Sequence, residues 1–118
     1  MIVVELDSLE VFGQHGVLDE ERRDGQAFLY DIQLEVGDGA LSDRIEDAVD
    51  YREISDCVRE VSDGRQFNLI EALAAAVADA LIGRFEVERV RVRVRKPQPA
   101  GVPAAHSAAT VERTSSSS

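Results

Sequence analysis

The chain has 118 residues, 44% of them hydrophobic and only 8 Gly and 3 Pro, which fits one globular domain and excludes collagen, coiled coil and a wholly disordered chain. Its 23 acidic and 13 basic side chains give a formal charge of −10, which argues against a nucleic-acid binder, because phosphate backbones reward clustered Lys and Arg. No stretch has the apolar length to cross a bilayer, the acidic first ten residues are unlike a signal peptide, and the single Cys57 offers neither a disulfide nor a zinc site, so a cytoplasmic protein without a metal is expected.

The segment from Ile2 to Leu6 alternates apolar and polar, and the alternation slips before Leu9 and Val11, which predicts a strand with a bulge. Gly13 to Gly25 turns to Gly, His and charge and reads as a loop. Phe28, Tyr30, Ile32, Leu34 and Val36 then share one face of a clear strand, with Asp31, Gln33 and Glu35 on the other, up to Gly37. Asp50 and Glu53 have capping-box spacing, and Ile54, Cys57, Val58 and Val61 recur at helical intervals before Gly64. Asn68 and Glu71 repeat that spacing, followed by the stripe Ile70, Leu73, Ala74, Val77 and Leu81. Two helices joined by so short a turn should form an antiparallel hairpin.

Val87 to Arg95 alternates again, with Val90, Val92 and Val94 opposite Arg89, Arg91, Arg93 and Arg95. After Lys96 and Pro97 a loop with Pro99, Gly101 and Pro103 leads to a weak alternating segment around Ala109 and Val111. One domain is expected over residues 1–113, with 114–118 a disordered Ser-rich tail that has nothing to bury. The order ββααββ implies an α+β fold, a four-stranded antiparallel sheet with two antiparallel helices on one face. Its other face is charged, with acids and arginines placed to pair across strands. A sheet covered on one side has two free edges, and pairing between copies would close several sheets into a ring.

One count stands apart. Of the thirteen cations, twelve are Arg, and the exception is Lys96. Arg keeps its proton at any working pH, whereas Lys can trade one, so Lys96 is a candidate for proton transfer beside the two histidines. A codon preference for Arg explains the count equally well.

Four segments resemble the dihydroneopterin aldolases of folate biosynthesis: "VFGQHGVLDEERRDGQAF" (11–28), "DAVDYREI" (47–54), "FNLIEALAAAVADAL" (67–81) and "VRVRVRKPQP" (90–99). The resemblance implies the tunnelling fold (T-fold), with a ring of four subunits stacked as a homo-octamer and active sites between neighbours. It implies a carbon–carbon lyase that splits 7,8-dihydroneopterin into 6-hydroxymethyl-7,8-dihydropterin and glycolaldehyde, with epimerisation of the side chain as a related activity. The substrate's own C=N bond takes up the electrons, so neither metal, organic cofactor nor Schiff base is expected.

By the same resemblance Lys96 is the proton donor and acceptor, Glu21 contacts the substrate side chain, and Tyr51 reaches in from an adjacent subunit to relay a proton. Glu20 leaves the register of Glu21 open by one. Glu71 grips the amino-pyrimidine edge of the pterin, flanked by backbone groups of Leu69 and Ile70, although its spacing equally suits a helix cap. The four arginines should help lower the basicity of Lys96, opposed by nearby acids. His15 is expected to orient its loop by hydrogen bonds. His106 stands where the family has an aromatic residue, in a loop one residue longer after Lys96 and without the usual glycine. The alternatives are a dihydroneopterin triphosphate epimerase and a non-catalytic pterin-binding T-fold protein.

Overall fold

A computed structural model describes residues 1–115. Along the chain lie β1 (Ile2–Gly13), a short helix α1 (Asp19–Asp24), β2 (Gln26–Val36), two 3₁₀ turns (Gly39–Ser42 and Ile45–Asp47), α2 (Tyr51–Gly64), α3 (Ile70–Arg84), β3 (Arg89–Pro97) and β4 (His106–Thr114). The strands form one antiparallel sheet in the order β1-β2-β3-β4, and α2 and α3 cover one face. This is the expected ββααββ arrangement.

Period-2 patterning explains the core. Phe28, Tyr30, Ile32 and Leu34 of β2 and Val90, Val92 and Val94 of β3 face the helices and are fully enclosed. Ile54, Cys57 and Val58 of α2 and Leu73, Ala74, Val77, Ala78 and Leu81 of α3 meet them at helical spacing, so Cys57 is packing. Removing one large member, such as Leu73→Ala, should cost about 2–5 kcal/mol through lost transfer energy and the cavity left behind.

On β1 the pairing steps from Leu6↔Ile32 to Leu9↔Tyr30, three residues against two. That is the anticipated bulge, with Ser8 in left-handed conformation (φ 59°). The Ser8 N–H donates to Asp31 Oδ1 at 2.9 Å, and Arg95 grips both Asp31 oxygens at 2.9 Å while Arg93 adds a bond at 3.2 Å. Arg89 and Arg91 turn instead to Glu112 of β4.

Three expectations are corrected. The loop from Gly13 to Gly25 contains α1, which buries none of its residues and so leaves no apolar period. Its acids Asp19, Glu20 and Glu21 lie in the first turn and Arg22 and Arg23 in the last, which suits the helix dipole. Asn68 does not cap α3; Leu69 occupies the N-cap position without a side-chain bond. Strand β3 begins at Arg89, because the Val87 N–H turns back to Phe85 O at 3.1 Å. At the C-terminus Thr114 closes β4 and the Ser115 N–H donates to Glu88 O at 3.0 Å, while positions 116–118 of the expected tail lie outside the described residues. The lengthened loop after Lys96 leaves β4 paired with β3 from Arg89↔Thr114 to Pro97↔His106.

Candidate active site

Where β3 and β4 meet the start of α3, a cleft of about 560 Å³ opens between two backbone lips. One lip is Gly16–Val17, just after β1, and the other is Asn68–Leu69, just before α3. Lys96 and Ser107 form part of its wall and Phe28 part of its floor.

Lys96 shares the parity of Val90, Val92 and Val94, so its side chain points to the helix face while Arg95 points away. Only 16% exposed, it forms an ion pair with Glu21, itself 15% exposed. Glu21, not Glu20, is therefore the glutamate of the site. The cause is α1, which turns Glu21 inward, with Oε1 accepting from the Leu18 N–H at 3.2 Å and Oε2 meeting Lys96. The Lys96 ammonium, aided by the Leu18 N–H and opposed by partial desolvation, holds the Glu21 carboxyl below the usual carboxylate range. The arginines of β3 supply no free positive run beside Lys96, because Asp31 and Glu112 pair them on the opposite face.

Glu71 lies in the first turn of α3 and lines the cleft. Among the described residues no hydrogen bond or ion pair occupies its carboxylate, so the capping reading of its spacing fails. Because no side chain caps α3, the first-turn N–H groups beside Leu69 and Ile70 are also free of partners within the helix. A carboxylate beside free N–H groups presents acceptor and donors side by side, the pattern that an amino-pyrimidine edge complements.

The structure thus gathers Lys96, Leu69, Ile70 and Glu71 around one cleft, with Glu21 joined to it through its ion pair with Lys96. Tyr51 is elsewhere. Half exposed at 50%, it lies at the opposite end of the sheet, in a groove with Ile2, Val36, Ile45 and Phe85. His106 is exposed at the start of β4. His15, by contrast, is 2% exposed; its Nδ1 accepts from the Phe67 N–H at 3.0 Å, and the Gly16 N–H donates to Phe67 O at 2.9 Å. Burial lowers the basicity of its imidazole, partly offset by Asp63, and that favours the neutral ring. Ser107, directly across from Lys96 in register, went unnoticed in the sequence because small polar residues on an edge strand carry no period. Ser62 and Phe67 were equally hidden, one a lone hydroxyl on an apolar stripe and the other an aromatic in a turn.

Comparison with known proteins agrees with this geometry. A family model described as dihydroneopterin aldolase matches residues 4–113. A dihydroneopterin aldolase of Streptococcus pyogenes serotype M6 is 38% identical over 97 residues, covering 80% of this chain and 82% of that protein. One from Methylorubrum extorquens is 37% identical over 107 residues, covering 88% and 82%. The crystal structure of E. coli dihydroneopterin aldolase in complex with neopterin superposes with a TM-score of 0.87 at 31% identity, covering 96% of this chain and 99% of that one. With its T-fold sheet, its lysine–glutamate pair and these relatives, the chain belongs to the dihydroneopterin aldolase family, a family of lyases.

Proposed function

We propose that the protein cleaves 7,8-dihydroneopterin by a metal-independent retro-aldol reaction to 6-hydroxymethyl-7,8-dihydropterin and glycolaldehyde, as a cytoplasmic step of folate synthesis. The observation that carries this reading is that Lys96, ion-paired to Glu21, lines the same cleft as an unengaged Glu71. Cleavage needs a base for the hydroxyl on the second side-chain carbon. As that C–O becomes C=O, the bond to the first carbon breaks and its electron pair enters the conjugated C=N of the ring. A proton then returns to the first carbon. Lys96 suits both transfers because an amine in hydrogen-bond reach can take and give a proton, with Glu21 holding its charge in place. The substrate serves as its own electron sink, so no imine to Lys96 is required.

The His15–Gly16–Val17 loop and the Lys96–Pro97 pair speak for the aldolase over the triphosphate epimerase. The purified protein with EDTA and dihydroneopterin should release glycolaldehyde, and borohydride added during turnover should leave the mass of Lys96-containing peptides unchanged. Binding without release would mark a non-catalytic pterin binder, and a borohydride adduct would restore the imine.

Glu71→Ala is expected to raise KM at least about a hundredfold with a smaller change in kcat, because a charge-assisted bidentate contact is lost that serves ground and transition state alike. Unchanged constants would leave the carboxylate without a role in the cleft.

Tyr51 completes the set in this reading by entering a neighbour's cleft. Supporting it are the two sheet edges, β1 and β4, without partners among the described residues, and the exposed Ile45 in the same groove as Tyr51. The expected assembly is a ring of four stacked as an octamer, which native mass spectrometry would weigh. Mixing Lys96→Ala chains with Tyr51→Phe chains, after dissociation and reassembly, should regain about a quarter of wild-type activity, the fraction of interfaces with both residues intact. No recovery would confine each site to one chain.

A further inference from the structure

Ser62 and His15 stand outside the proton chemistry, yet among the described residues both are buried in the core, at 4% and 2% exposure. Ser62 lies on α2. Its Oγ is 3.0 Å from His15 Nε2 and 3.5 Å from Phe12 O. Since His15 Nδ1 accepts from the Phe67 N–H, the ring proton resides on Nε2 and is donated to Ser62 Oγ, whose own hydrogen turns to Phe12 O. Both ends of this chain are backbone groups, so its direction is fixed. A Cβ on Gly13 would lie 2.6 Å from Nε2 and 2.8 Å from Ser62 Oγ, so the close approach of ring and hydroxyl needs glycine there. Tyr30 closes the enclosure, its buried hydroxyl lying against Ser62 without a hydrogen bond of good geometry and made less acidic by burial, which Ser62 partly offsets.

We propose that Ser62, which does not itself line the cleft, is a positioning residue that holds the tilt of His15 and so sets the spacing of the two cleft lips. The lips hang on the same ring. Gly16 follows His15 directly and bonds to Phe67 O, while Phe67, bonded to Nδ1, leads into Asn68–Glu71. An anchor on α2 holds the ring at one depth, and the gap that receives the heterocycle is held with it. A buried imidazole without its acceptor has to tilt or change tautomer to avoid an unsatisfied N–H.

The consequence for catalysis rests on the aldolase reading, whereas the coupling of Ser62 to the lips can be read in the ligand-free protein. In Ser62→Ala, hydrogen exchange at the Gly16 and Phe67 amides should quicken at least about tenfold, and the ¹⁵N signals of His15 should lose the Nε2–H pattern. KM for dihydroneopterin should rise about tenfold with kcat within about twofold, because displaced lips weaken binding while Lys96 and Glu21 stay paired. His15→Asn, which keeps an acceptor near the Phe67 N–H but cannot reach Ser62, should match it, and the double variant should be no worse than either. A lower melting temperature with unchanged exchange at both amides and unchanged KM would overturn the proposal, as would additive effects. If the wild type proves inactive while the amides respond to Ser62→Ala, the aldolase reading falls and the positioning role stands.

Discussion

Lys96→Ala should reduce kcat by at least about a thousandfold while changing the affinity for neopterin by less than about threefold. In the proposed reaction the amine acts at the reacting atoms, and loss of a positioned general acid–base is worth roughly 10²–10⁴ in rate. On the same proposal the heterocycle is held by Glu71 and the first turn of α3, which this change leaves alone. Lys96→Arg should rescue little, since a guanidinium keeps its proton at working pH. Removing the lysine also leaves the Glu21 carboxylate, 15% exposed, without its cation. Its protonation pH should then climb toward or past the ordinary carboxylate value. Glu21→Gln on that background should therefore add almost nothing to the defect. A loss confined to KM would make Lys96 a binding group.

Gly16→Ala is expected to cost about a hundredfold in kcat/KM, though the change adds one methyl far from the reacting bond. Gly16 has φ 150°, where a Cβ is strained, and a Cβ there would lie 2.7 Å from Glu21 Cβ and Oε1. The backbone strain alone is worth roughly 1–3 kcal/mol. Glu21 has to withdraw, leaving the Leu18 N–H and Lys96 without their acceptor. A displacement of about 1 Å in a catalytic pair is enough for the predicted loss. Glu21→Gly placed on the Gly16→Ala background should change activity little further, because the carboxylate has already left. Retention of full activity by Gly16→Ala would mean that Glu21 is free to reach Lys96 from another rotamer.

What the sequence made legible follows from how strongly each element is patterned. β2 and β3 alternate without a break and were readable residue by residue, as were the stripes of α2 and α3. α1 was not, because it is stabilised by its own charges and buries nothing. Of the site, Lys96 stood out by composition and Glu71 by resemblance, while the inward turn of Glu21 depends on α1 and became visible only in three dimensions. Tyr51 could be placed on a helix start but not beside a cleft, since its distance from Lys96 is a matter of which end of the sheet each occupies. Ser62 shows the limit. A hydroxyl on an apolar stripe looks like a neutral substitution until its partner, 47 positions away, is known.

The extra residue in β1 reaches further than its own neighbourhood. Up to Leu6 the even positions face inward; from Leu9 onward the odd ones do, through Val11 and Gly13 to His15. Ser8 acts as a phase shifter for everything downstream of it on that strand. Were Ser8 held in regular extended pairing instead of the bulge, Leu9 and Val11 would be aimed at water and the imidazole at the charged side of the sheet. A left-handed residue about seven positions upstream thereby decides which side of the sheet the imidazole enters.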